Sequence, residues 1–129
     1  MTRVIDFDAA DLADDIERLS QYDLDKLPFG VILLDGEGTI LFYSETEQRQ
    51  SGYGSRPLGK NLFDLSDSFS GSDFRGRIMR AQEAGRVDLE FGWPRDYVDP
   101  NRELRIRVQS ARGGGLWLFI ERDKAVGIH

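Results

Sequence analysis

Phe29–Gln50, FGVILLDGEGTILFYSETEQRQ, is the part of this 129-residue chain around which the other predicted elements are arranged. It contains two apolar runs, Val31–Leu34 and Ile40–Tyr43, joined by a short loop with two glycines and an aspartate. Two such runs around a glycine-containing loop predict a β-hairpin, because glycine tolerates the positive φ angles of a tight reversal. Neither run alternates with polar residues, so we expect both faces of the hairpin to be covered and the hairpin to lie inside the molecule.

A helix is predicted directly after the hairpin. The sequence Ser44-Glu45-Thr46-Glu47 fits a capping box, in which the glutamate side chain reaches back to the backbone N–H of the serine. Tyr43 and Glu47 are four residues apart at this junction. Two interpretations are open: Tyr43 ends a strand and Glu47 caps the helix, or both side chains face a pocket. In the pocket interpretation, a desolvated, neutral carboxyl and the phenol would bind an anionic or phenolic ligand.

The composition excludes several functional classes. The length fits one domain with an ordinary core, and the absence of cysteine excludes disulfides, thiolate nucleophiles and cysteine-ligated metals. The only histidine is His129, and the net charge is −6, so we expect neither histidine-based catalysis nor nucleic-acid binding. No apolar run has the length of a membrane span, and the acidic N-terminus does not resemble a signal peptide. We therefore expect a cytoplasmic protein that is not an enzyme and binds no membrane.

The N-terminal segment Asp8–Asp23 is predicted to form an amphipathic helix with Asp8 as its N-cap. Leu12, Ile16 and Leu19 follow the spacing i, i+4, i+7 and so share one face, while acidic residues occupy the others. This helix either caps the domain or acts as a regulatory flap. Its apolar stripe needs cover, which leads us to expect a homodimer or a signalling partner docked there.

Short helical pieces are predicted between the hairpin and the second half of the chain. Leu58–Leu65 has spaced apolar residues typical of a short helical turn, and Ser66–Gly71 is an irregular loop. Phe69 in that loop is either an anchor to the core or a binding residue. The next helix covers Ser72–Ala84, because Gly85 stands where a glycine ends a helix.

Three further strands complete the predicted sheet. Val87–Trp93 and Leu104–Gln109 alternate between apolar and polar residues, whereas Leu116–Ile120 has no polar alternation. If the first two pair, their acidic residues are expected to face Arg105 and Arg107 across a solvated side. The order of elements predicts one α+β domain with an antiparallel sheet.

That order resembles a PAS fold, which implies a five-stranded antiparallel sheet with helical segments on one face and an N-terminal helical cap. Within the PAS domains, the sequence resembles the photoactive yellow protein family of blue-light receptors. The resemblance implies a cap over residues 1–25, a PAS core over 26–123 and a flexible tail over 124–129. It is carried by residues spread over nearly the whole chain: Phe29-Gly30, Leu34-Asp35-Gly36, Gly38, Tyr43, Glu47, Gly52, Gly59-Lys60-Asn61, Phe63, Trp117 and Phe119.

The resemblance also implies a ligand site. In that family, p-coumaric acid is attached through a cysteine thioester, and its phenolate is bound by a tyrosine and a protonated glutamate four residues later. Tyr43 and Glu47 match these two positions. Ser51 matches a threonine that supports the tyrosine, and Tyr53 replaces an arginine of the family.

The family's cysteine has no counterpart in this chain. Its position falls on Ser68 or Phe69, in a loop that is about one residue shorter than in the family. We therefore expect no covalent cofactor. A sensory domain with a non-covalent small ligand, and a ligand-free interaction or dimerisation module, both remain open, and an inward Phe69 would favour the second. Haem would lack an internal histidine or cysteine ligand, and cysteine-adduct flavin chemistry is excluded.

Overall fold

The computed structural model of the chain describes residues 5–51, 56–65, 72–93 and 104–122. Within these ranges the secondary structure consists of four α-helices, a 3-10 turn and five strands. In chain order they are α1 (Leu12–Glu17), α2 (Gln21–Asp25), β1 (Gly30–Leu34), β2 (Ile40–Tyr43), α3 (Glu45–Ser51), the 3-10 turn (Leu62–Asp64), α4 (Ser72–Glu83), β3 (Asp88–Trp93), β4 (Leu104–Ser110) and β5 (Leu116–Arg122).

The five strands form one antiparallel sheet in the order β2-β1-β5-β4-β3. In the pairing of β1 with β5, Gly30 stands opposite Ile120 and Leu34 opposite Leu116. The predicted α+β class and the five-stranded antiparallel sheet are thus confirmed. The expectation that the whole hairpin lies inside was wrong for β2, which is an edge strand among those described, and Leu41 on it is 54% exposed.

Two hydrophobic cores lie on opposite faces of the sheet. Because successive side chains of a strand point to opposite faces, β5 contributes Leu118 and Ile120 to one core and Trp117 and Phe119 to the other. On the inner face, the first core packs against the 3-10 turn and α4, where Ile78 is buried. On the outer face, the second core packs against the N-terminal segment.

The N-terminal segment forms two short helices, whereas the sequence predicted one helix over Asp8–Asp23. A new helix starts after Ser20, whose side chain accepts a hydrogen bond from the N–H of Asp23 at 3.1 Å. Asp8 is not an N-cap, because α1 begins only at Leu12. The carboxylate of Asp8 instead binds the guanidinium of Arg105.

Arg107 and Gln109 are buried beneath this segment, although the sequence predicted a solvated side for their strand. Arg107 Nη1 donates to the carbonyl oxygen of Phe7 at 2.6 Å, and Gln109 Oε1 accepts from the N–H of Ala13 at 2.7 Å. Backbone groups of the N-terminal segment therefore take the place of water as hydrogen-bond partners. Arg105 does remain exposed and pairs with Glu90 of the neighbouring strand, as predicted. It also pairs with Glu121 of β5, which was not predicted.

The apolar stripe of the N-terminal segment is covered by the chain's own sheet. Leu12 and Ile16 are fully buried in the outer-face core, together with Trp117 and Phe119. The stripe thus needs no partner to shield it from water. The division into cap, core and tail stays a prediction, and residues 124–129 lie outside the described ranges. No described helix combines the length and apolar character that crossing a bilayer requires.

Candidate functional site

The junction of β2 and α3 places a tyrosine and a glutamate in the interior. Tyr43, opposite Ile32 in the hairpin, is fully buried in the inner-face core, and Glu47 in the first turn of α3 is fully buried as well. Ser44 Oγ accepts from the N–H of Glu47 and from the N–H of Val31, each at 3.1 Å. The serine therefore forms its half of the predicted capping box and also fixes α3 to β1.

Arg122, the last residue of β5, binds the carboxylate of Glu47. Its Nη1 donates to Oε1 and its Nη2 donates to Oε2, both at 2.7 Å. Two parallel bonds of this kind form the bidentate arginine–carboxylate arrangement, in which both carboxyl oxygens accept. The pair joins two residues that are 75 positions apart in the chain.

Glu47 therefore does not close the capping box with its side chain, and that interpretation was wrong. The N–H of Ser44, which the capping glutamate would engage, donates instead to the carbonyl oxygen of Val31 at 2.9 Å. Both carboxyl oxygens accept from Arg122, a partner that the pocket interpretation did not include.

Gly30 provides the space in which this carboxylate lies. A Cβ atom at Gly30 would stand 1.9 Å from Glu47 Oε1, far inside van der Waals contact. Only glycine therefore lets the carboxylate pack directly against the backbone of β1. The guanidinium reaches the same place from β5, where Ile120 faces Gly30 across the sheet and Arg122 follows two residues later.

The ion pair is closed to solvent, which distinguishes it from the ion pair between Arg49 and Glu45 of α3. The side chains of Arg122 and Glu47 are 2% and 0% exposed, whereas Arg49 and Glu45 are 63% and 60% exposed at an N–O distance of 3.6 Å. Exposed pairs contribute about 0–1 kcal/mol to stability. Removing one partner of a buried pair is far more costly, because it leaves the other charge desolvated and uncompensated.

The hairpin loop contains a second ordered carboxylate. Asp35 Oδ1 accepts from the N–H of Thr39 at 2.9 Å and from the N–H of Glu37 at 2.8 Å. These backbone hydrogen bonds, of which that from Thr39 has the largest effect, lower the pKa of Asp35 below its ordinary value.

No group of three or more histidine, cysteine or acidic residues within the described ranges is arranged to hold a metal ion.

Of the six residues predicted for the site, the structure places Tyr43 and Glu47 together in the interior. Ser51 is the last residue of α3. Tyr53, Ser68 and Phe69 lie outside the described residues, so their roles stay predictions.

The sequence analysis did not identify Arg122. One signal was present: Leu118 and Ile120 alternate toward the inner face, and the next residue with that periodicity is Arg122. An arginine at an inward position of a strand needs a buried partner, and Glu47 is that partner.

Comparison with known proteins identifies the family. No family model matches the chain. The photoactive yellow protein of Cereibacter sphaeroides is 34% identical over 125 residues, which cover 92% of this chain and 98% of that protein. The chain belongs to the photoactive yellow protein family. The predicted resemblance is thereby confirmed for a member that contains no cysteine.

Solved structures give the same result for the fold. The photoactive yellow protein domain from the sensor histidine kinase Ppr of Rhodospirillum centenum matches with a TM-score of 0.69 and 30% identity, covering 83% of this chain and 96% of that one. A PAS domain of an HTR-like protein from Haloarcula marismortui matches with a TM-score of 0.57, 17% identity and coverage of 85% and 98%, which supports the fold alone. This member of the photoactive yellow protein family is therefore a PAS-type sensory domain.

Proposed function

We propose that this chain is a signalling PAS domain that binds a small organic ligand non-covalently in place of a thioester chromophore. The proposal includes a cytoplasmic location, no enzymatic activity, and action through a partner protein or a homodimer. Family membership supports a sensory role, and a related domain is part of a sensor histidine kinase. The absence of cysteine from all 129 residues supports a non-covalent mode of binding.

The buried Glu47–Arg122 pair is the observation that carries this proposal. A buried ion pair gains little net stability, since the desolvation of both charges offsets their attraction, and apolar residues of similar size often do as well. Two desolvated charges in the interior, one of them at the end of β5, are thus poorly explained by stability alone. The charged pair is well suited to recognise a polar ligand.

Absorbance and mass spectrometry of the purified protein test the proposal. We expect a colourless protein whose native mass exceeds the chain mass and returns to it on denaturation. Incubation with an activated p-coumaroyl ester should add no mass that survives denaturation. A coloured adduct that persists in denaturant would contradict the non-covalent mode of binding.

A second function, a ligand-free module for protein interaction, is favoured by one feature of the same site. Arg122 donates two hydrogen bonds to Glu47, and the two charges neutralise each other within the chain itself. This alternative predicts that protein prepared from several hosts has no mass beyond that of its polypeptide chains. Sedimentation would then show a homodimer, or a partner would be required for activity.

A further inference from the structure

The guanidinium of Arg122 points to the chemical class of the ligand. We propose that Arg122 is a carboxylate-binding site whose internal occupant is Glu47, and that the sensed ligand is a small organic carboxylate that exchanges with Glu47. This inference rests on the proposed function, because it names the ligand that the domain would sense.

The geometry of the pair restricts what can replace Glu47. A replacement must accept two hydrogen bonds from Nη1 and Nη2 of Arg122 and must compensate a cation that is 2% exposed. A phenol or alcohol offers one oxygen and no charge, and a cation would be repelled. A carboxylate offers two coplanar oxygens with one negative charge, so it keeps both bonds and the charge balance.

The sheet, rather than the helix that bears Glu47, provides the binding place. Gly30 on β1 leaves open the position that Oε1 occupies, and Arg122 extends from the neighbouring strand β5. Both belong to the centre of the five-stranded sheet, whereas Glu47 belongs to a seven-residue helix. We call Gly30 and Arg122 the receptor half of the site. Removing the glutamate side chain should therefore leave this receptor half in place.

Exchange would also change the fold locally, which a sensor requires. The pair connects the first turn of α3 to the end of β5. When an external carboxylate binds Arg122, the Glu47 carboxylate is displaced from the guanidinium, and as a charged group it would be stabilised by reaching water. The first turn of α3 would move outward with it, and occupancy of the site would set the position of the helix.

Chemical rescue of Glu47→Ala tests the receptor half. Sodium propionate should raise the Tm of this variant in a saturable way, recovering at least half of the deficit, while sodium chloride at equal ionic strength should not. The control is Glu45→Ala, in the same turn but exposed, which should show no propionate-specific gain. Adding Arg122→Met to Glu47→Ala should abolish the rescue. Equal effects of propionate and chloride, or rescue that survives Arg122→Met, would overturn the proposal.

Side-chain NMR of the wild-type chain tests exchange without relying on a variant that folds poorly. Propionate should shift the guanidinium resonances of Arg122 and the backbone amide resonances of α3. The guanidinium resonances of Arg105, an exposed residue that also binds carboxylates, are the control and should not shift. Unchanged Arg122 resonances at saturating propionate would refute exchange. If they stay unchanged while native mass spectrometry finds another ligand, the proposed function stands and only the carboxylate assignment fails. An empty protein with unchanged resonances refutes both.

Discussion

At the scale of single residues, the site depends as much on a missing atom as on two charges. Arg122 and Glu47 meet in the interior because Gly30 has no Cβ where Oε1 lies. The sequence predicted Glu47 as a site residue, since local motifs marked it, but its partner follows from a contact across 75 positions. Such a contact requires knowledge of which strand ends near α3, and no local pattern contains that information.

The first prediction concerns the charges. Glu47→Ala should lower the free energy of unfolding by about 3–5 kcal/mol, because it removes the carboxylate that compensates a buried guanidinium. The exposed Glu45→Ala should cost less than about 1 kcal/mol. The double variant Glu47→Leu with Arg122→Leu should lose less unfolding free energy than the single variants Glu47→Leu and Arg122→Leu lose together. Urea denaturation measures all of these, and an additive result would show that the pair is not energetically coupled.

The second prediction concerns the space at Gly30. Gly30→Ala should destabilise the protein by displacing the Glu47 carboxylate, whose Oε1 would lie 1.9 Å from the new Cβ. In a Glu47→Ala background the same change should be much less harmful. Gly36→Ala is the matched control, because a Cβ there meets nothing within 4 Å. If Gly30→Ala were equally harmful in both backgrounds, the backbone of β1, and not the carboxylate, would be the reason for glycine.

At the scale of elements, the apolar pattern predicted the strands well and the boundaries of the N-terminal helix poorly. Local alternation identified β3 and β4, and short apolar runs next to glycine-containing loops identified β1, β2 and β5. The edge position of β2 and the burial of Arg107 could not, because both depend on which element covers which face. The break between α1 and α2 had a local signal in Ser20, an N-cap residue inside an apparently continuous pattern.

The third prediction concerns the hairpin loop between β1 and β2. The pKa of Asp35 is lowered by the N–H groups of Thr39 and Glu37, so its carboxylate stabilises the folded state at pH values above the unfolded pKa of roughly 3.9. That contribution should be lost as the pH falls through the lower folded value. Carbon-detected NMR titration should give a folded pKa for Asp35 below the ordinary range. Asp35→Asn should lower stability at neutral pH and flatten its acid dependence, and an unchanged dependence would contradict this.

At the scale of the whole molecule, one sheet contributes residues to two hydrophobic cores, one on each face. The inner face contains Tyr43 and the ion pair that ties α3 to β5, and the outer face is closed by the N-terminal segment. β5 contributes alternate residues to both cores. A shift of the end of β5 at Arg122 would therefore also displace Phe119 and Trp117 on the outer face. The sheet thus connects the proposed ligand site with the surface where the N-terminal segment lies.

The last prediction decides whether the N-terminal stripe takes part in assembly. Leu12 is fully buried against the chain's own sheet, so Leu12→Ala should lower the free energy of unfolding by about 2–5 kcal/mol and leave any self-association unchanged. Leu41→Ala is the control for stability. The side chain of Leu41 is 54% exposed on the edge strand, so this change should lower the free energy of unfolding only slightly. Urea denaturation and sedimentation equilibrium measure the two effects. A Leu12→Ala protein that kept its stability but dissociated from a dimer would show that the stripe packs against a second copy, contrary to the closed arrangement seen within one chain.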